Sequence, residues 1–181
     1  RGWETGALLA KAFRALGHEV DEYAKIYERP EWVTPREDML SKHYDLHVYM
    51  ECNDGDAQYL ELKDINADRR VAWLFDIAMM KDYYRRLVSH MEFHHCYVAN
   101  IDYVNNYFIC PTSYLPYAAD MEFFGRPLET PKTIDVCLVG SDRPERRELI
   151  SNIKYHTGIN AQLICGVFKE DYINALAASR I

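Results

Sequence analysis

Apolar positions along this chain recur in two periods, and the period switches repeatedly. Leu9, Ala12, Phe13 and Leu16 are spaced as one face of a helix, with Gly17 as a C-terminal cap. Residues 45–50 form a short apolar run of β-formers that predicts a strand. Residues 58–65 are weakly helical, and 70–75 read as a strand apolar on both faces, as a central parallel strand would be. A helix at 82–91, a strand at 95–99 and a helical turn at 102–107 follow. Proline and glycine punctuate 125–132. Beyond them the pattern predicts a strand from Ile134, a helix at 145–155, a strand at 161–165 and a helix at 171–178.

Strand–helix alternation of this kind predicts an α/β fold with Rossmann-like parallel sheets and helices on both faces. The punctuation divides the chain into a domain at 1–124, a linker at 125–133 and the start of a second domain at 134–181, too short to complete a core. Arg1 stands where Met is expected, and Gly2-Trp3-Glu4-Thr5-Gly6 reads as a loop feeding a helix with no strand before it. The expectation is a fragment lacking its first strand, or a mature form that begins late.

Composition narrows the function classes. Of 181 residues, 49% are hydrophobic and 27% charged, the balance of a globular protein with a core. A net charge of −7 without a basic run argues against a nucleic-acid partner. No apolar stretch approaches the roughly 20 residues that span a bilayer, and no signal-peptide pattern opens the chain. Five cysteines are scattered, and Cys137 and Cys165 lie in apolar runs, which predicts small buried hydrophobes of a reducing, cytoplasmic compartment. Nothing in the sequence sets the oligomeric state.

Residues 134–150 carry the densest chemistry. A buried strand runs into Gly140-Ser141, and a helix opens near Pro144. Such a turn aims free backbone N–H groups and the positive end of the helix dipole at one point, where a phosphate can sit. Arg143, Arg146 and Arg147 crowd the turn, and guanidinium forks match phosphate oxygens. The other reading is a surface turn whose arginines pair with Glu145 and Glu148.

Ligands of open α/β sheets bind beyond the carboxyl ends of the strands. Asp76, directly after 70–75, is therefore a candidate general base toward a hydroxyl, or else the N-cap of the next helix. Glu51 has similar placement, although Asn53, Asp54 and Gly55 beside it suggest a turn. His90, His94, His95 and Cys96 lack a second ligand pair, so no metal site is expected. Tyrosines clustered between Tyr83 and Tyr117 suit sugar stacking and core packing alike. Nucleophile-elbow, Walker and zinc-protease motifs are missing from the sequence.

Three segments in order carry a family resemblance: Val71-Ala-Trp-Leu-Phe-Asp76, Ser113-Tyr-Leu-Pro-Tyr-Ala-Ala-Asp120, and Asp135-Val-Cys-Leu-Val-Gly-Ser-Asp-Arg-Pro-Glu-Arg-Arg147, with Tyr172 and Ala178-Ser-Arg-Ile181 after them. Together they resemble the CgeB-like spore-maturation glycosyltransferases, a branch of the GT-B glycosyltransferases. Leu138 stands where that family often has Phe. The resemblance implies two Rossmann-like domains facing a cleft, with a glycan, protein or small-molecule acceptor on the first. A nucleoside-diphosphate sugar would bind mainly to the second, without metal or further cofactor. It implies that Gly140, Ser141, Arg143 and Arg146 lie near the donor diphosphate, and that Asp76 serves as base or acceptor ligand. Gly2, Trp3 and Gly6 would belong to a cleft loop. The family's chain continues past Ile181 into a segment that holds the ribose and sugar, so the expectation is at most half a donor site, inactive alone.

Overall fold

In the computed structural model, which describes residues 5–23, 36–50, 62–78, 80–104, 107–119, 124 and 129–180, every strand pair is parallel. The chain forms two units, Arg1–Ala118 and Ala119–Ile181. The first holds helices α1 (Thr5–Ala15) and α2 (Arg36–Leu40), strands β1 (His43–Met50) and β2 (Asn66–Leu74), helix α3 (Lys81–Met91), and strands β3 (His95–Val98) and β4 (Thr112–Tyr114). Its sheet runs in the order β1-β2-β3-β4. The second holds β5 (Val136–Val139), α4 (Pro144–Thr157), β6 (Ala161–Ile164) and α5 (Lys169–Ala177), with β5 beside β6. The architecture is α/β with a parallel four-stranded sheet.

Sequential parallel order has a consequence for packing. Each crossover steps the same way across the sheet, and right-handed connections then fall on the same face. Burial agrees. Tyr49, Ala72, Leu74, Cys96 and Val98 point to one face, where they join Tyr83, Tyr84, Leu87, Val88 and Met91 of α3 in a single core cluster. Those five α3 positions recur at helical spacing and are all buried. Tyr, Val, Ser and His are poor helix formers, and the five of them in α3 cost about 2–3 kcal/mol relative to alanine. Each buried side chain contributes about 1.5–3 kcal/mol, so packing and not propensity holds α3. Met50 points the other way from Tyr49, and α1 approaches it there: a Cβ on Gly6 would lie 3.9 Å from Met50 Sδ.

Boundaries moved where polar residues pair. The predicted strand at 70–75 begins at Asn66, because the polar stretch Asn66 to Arg70 stays paired with β1 through His43↔Asn66 and His47↔Arg70. The apolar run marked only the half of β2 that is buried. β4 was not predicted at all; Thr-Ser-Tyr has no apolar run, and its pairing with Cys96 to Val98 makes it a strand. The predicted turn at 102–107 is a 3-10 turn at Ile101–Tyr103, capped by the Asn100 side chain, which accepts the Asp102 N–H at 3.0 Å. α1 begins at Thr5, so Gly6 lies in its first turn rather than in a loop. Gly2, Trp3, Glu51, residues 53–55, the first half of the weak helix at 58–65 and the linker residues 125–128 fall outside the described residues.

In the second unit, α5 returns to the start of β5. The N–H groups of Thr133 and Ile134 donate to Ala178 O, Arg180 N–H donates to Ile134 O, and the Lys132 ammonium donates to Ser179 O at 2.7 Å. Among the described residues, Ile134, Ile150, Ala161 and Ile173 are its buried apolar side chains.

One buried polar pair affects stability. His47 and Arg70 face each other across β1 and β2, and His47 Nδ1 and Arg70 Nε are buried without a hydrogen-bond partner. Burial, and then the Arg70 charge, lower the His47 pKa from 6.5 to about 4. Between those values the unfolded chain takes a proton that the folded chain refuses, so stability present above about pH 6.5 is lost as the pH falls toward about 4. That interval corresponds to about 3 kcal/mol. Urea unfolding at a series of pH values is expected to show this loss in the native sequence and a flatter profile in His47→Leu; equal slopes would refute it.

Candidate functional site

The turn after β5 is assembled by one guanidinium. β5 ends at Val139, and Gly140 N–H continues the ladder by donating to Ile164 O at 3.0 Å. Arg143 then takes an extended conformation as the N-cap of α4, with Pro144 in the first helical turn, where a missing N–H is harmless. The Arg143 carbonyl accepts the N–H groups of Arg146 and Arg147. One turn into α4, Arg146 reaches back, and its Nη1 donates to Ser141 O and Ser141 Oγ, both at 2.9 Å. A Cβ on Gly140 would lie 2.5 Å from Arg146 Nη1. Glycine therefore leaves room for this position of the guanidinium, and its φ is not among the positive ones.

Gly140, Ser141 and Arg146 are thus brought together at the carboxyl end of β5 and the N-terminus of α4. With Nη1 engaged, the Nε and Nη2 hydrogens of Arg146 and the N–H groups of Ser141 and Asp142 have no partner among the described residues. They lie at the positive end of the α4 dipole. Arg143 contributes its backbone, and its side chain is exposed. Arg147 makes a bidentate ion pair with Asp142, so the acid in the turn is Asp142 and not Glu145 or Glu148. That hydrogen-bonded pair lowers the Asp142 pKa and raises that of Arg147. What the arrangement offers an anion is one fixed guanidinium edge and a few backbone donors.

Asp76 occupies the carboxyl end of β2 in the first unit. It is exposed, in the left-handed region at φ 38°, between buried Phe75 and Ile77. Asp tolerates this conformation better than most residues. It does not cap α3, which starts five residues later with Met80 at its N-cap. Its carboxylate therefore faces solvent, with no hydrogen bond or ion pair among the described residues. Its chain neighbour Phe75 belongs to an aromatic cluster that the sequence did not reveal. Phe75 stacks on Tyr117 at 4.9 Å and touches Trp73 at 5.0 Å, while the Trp73 indole N–H donates to Leu115 O at 3.0 Å. Trp73 and Tyr117 both lie in segments already notable by sequence, but only the sheet brings them together.

The other candidates are absorbed into structure. Tyr83 and Tyr84 are core, Tyr103 and Tyr107 pack edge to face, and Tyr114 and Tyr117 are exposed. His94 Nδ1 accepts the Arg70 N–H at 3.1 Å, and His95 Nε2 lies 2.9 Å from Ser113 Oγ. Among the described residues no group of three His, Cys, Asp or Glu is placed to hold a metal ion. No described helix is long and apolar enough to cross a membrane. The expected burial of Cys137 and Cys165 is corrected: Cys137 is half-buried, and Cys165, beyond the end of β6, is exposed. Comparisons with protein-family models, curated proteins and solved structures find no match to this chain.

Gly140→Ala is expected to push the Arg146 guanidinium off Ser141. The obstructing atom ends a flexible side chain, so stability should move by no more than about 0.5–1 kcal/mol. A shifted Arg146 Nε–Hε resonance in nitrogen–proton correlation spectra, with a nearly unchanged urea midpoint, is the expected result. An Arg146 resonance identical to that of the native chain would count against the close approach.

Proposed function

We propose that this chain belongs to a GT-B-type glycosyltransferase of the CgeB-like kind, with the first unit on the acceptor side and the second opening the nucleotide-sugar domain. The observation that carries the reading is the Gly140–Ser141–Arg146 turn. Its guanidinium is held by two hydrogen bonds, with further donors unused, at a strand's carboxyl end and a helix N-terminus. Such preorganised donors suit the charge that develops on a departing nucleoside diphosphate, because they need no reorientation as the bond breaks. Asp76, exposed directly after Phe75, has the chemistry to accept a proton from an acceptor hydroxyl, and the exposed Tyr117 ring stacked on Phe75 could pack on a sugar ring. The reaction would transfer a sugar from a nucleoside-diphosphate donor to that hydroxyl without a metal.

A second reading is a non-catalytic Rossmann-like binding or scaffolding module. It is favoured by the turn's internal pairing, since Asp142 already neutralises Arg147 and Ser141 takes two hydrogen bonds from Arg146.

Calorimetry against UDP, GDP and their sugars separates the two. On the glycosyltransferase reading one nucleotide binds, and Arg146→Ala weakens it by about tenfold or more, the loss of roughly one charge-assisted hydrogen bond. In the full-length protein Asp76→Asn would then abolish transfer while leaving nucleotide binding intact. If no donor sugar is hydrolysed or transferred by the full-length protein, and Arg146→Ala leaves nucleotide binding unchanged, the scaffolding reading stands.

A further inference from the structure

Two sulfurs of the first unit lie unusually close. Cys96 is completely buried in β3, Cys110 is half-buried just ahead of β4, and their Sγ atoms are 3.1 Å apart. Even carbon atoms pack at about 3.5–4.0 Å, and sulfur is larger. Both thiols are free. The backbone around them is fixed, because Cys96 N–H donates to Pro111 O at 2.9 Å and Thr112 Oγ1 donates to Cys110 O at 3.1 Å. A disulfide spans about 2.05 Å between sulfurs. The remaining distance is about 1 Å. Among the described residues no other two cysteines are in contact. Cys137 Sγ donates to Ala175 O at 3.9 Å.

We propose that Cys96 and Cys110 form a redox site whose substrate is a small-molecule disulfide, and whose oxidised form is a bridge stapling β4 to β3. The Cys110 thiolate attacks one sulfur of the small disulfide, forming a mixed disulfide and expelling one thiolate, which takes up a proton. Cys96 then gives its proton to solvent and attacks Cys110 Sγ. The protein disulfide forms and the second small thiolate leaves to be protonated. Two protein thiols lose two electrons in all, and the small disulfide becomes two thiols.

The order follows from access and acidity. Cys110 is the half-buried residue of the pair, and its hydrogen bond with Cys96 lowers its pKa. Cys96 has its pKa raised by that bond and by burial, so it keeps its proton until the mixed disulfide forms. The staple would act on a vulnerable element. β4 is a three-residue edge strand, and it leads to Leu115 and Tyr117, which hold Trp73 and Phe75. The proposal is independent of any glycosyl transfer.

No Lys or Arg separates Cys96 from Cys110, so both remain on one tryptic peptide, which carries no other cysteine. The folded chain is incubated with glutathione disulfide, quenched and alkylated in denaturant, digested, and weighed. The expected peptide is unalkylated and two hydrogens lighter than its dithiol form, returns to two alkylated thiols after dithiothreitol, and comes from a chain whose thermal midpoint rises on oxidation. Exposed Cys165 should instead carry a glutathione adduct. Two alkylated thiols on the Cys96–Cys110 peptide after oxidation would overturn the proposal. So would a persistent glutathione adduct on Cys110, a bridge from either sulfur to Cys52, or a bridge that lowers the midpoint. In Cys110→Ser no such bridge can form and Cys96 should stay a thiol; should that variant not fold, the map of the native chain still decides.

Discussion

Parallel pairing of β1, β2 and β3 beneath α3 is the constraint on which the rest of the first unit depends. Parallel strands cannot be joined by tight turns, so each pairing requires a crossover that must itself be packed. Ala72, Leu74, Cys96 and Val98 present a continuous apolar surface, and Tyr84, Leu87, Val88 and Met91 of α3 cover it. With that seam closed, the strand ends fall into line, and Asp76 emerges between the buried Phe75 and Ile77. The exposure of Asp76 thus follows from the burial of its neighbours. Polar satisfaction around the seam is incomplete at His47 and Arg70, where two buried nitrogens are unpaired. Such groups cost free energy that the apolar core must offset.

The turn after β5 obeys a different constraint, close approach. Arg146 folds back onto Ser141 through space that a Cβ on residue 140 would take. A long, flexible side chain normally loses rotamer freedom when it is fixed. Here two hydrogen bonds from Nη1 meet that cost before any ligand arrives. A guanidinium held this way is preorganised toward an anion, in contrast to Arg147, whose charge is already matched by Asp142. Three neighbouring arginines are therefore placed in three different ways, and Arg143 caps α4 with its backbone while its side chain is exposed.

The same contrast runs through the cysteines. Cys165, in what reads as an apolar run, is exposed, while Cys96, within a cluster of histidines, is completely buried. Residue type set neither outcome. Cys96 is inside because the alternation of β3 turns it toward α3 together with Val98, and His95 is turned to the other face, where it meets Ser113.

Much of the fold was legible without tertiary information. Hydrophobic period alone located β1, the buried half of β2, α3, β3, β5, α4, β6 and α5, because the spacing of their apolar residues is written in the chain, although β5, expected to be buried, is only half-buried. It located Gly140, Ser141 and Arg146 as a group too, since they lie within seven consecutive residues. Period could not reveal the polar half of β2 or the whole of β4, because hydrogen bonding to a neighbouring strand makes those residues extended and requires no apolar side chain. Nor could it show that Arg147 pairs with Asp142, that Phe75 stacks on Tyr117, or that Cys96 touches Cys110. Those contacts join residues up to 42 positions apart or depend on one rotamer, and only the folded sheet decides them.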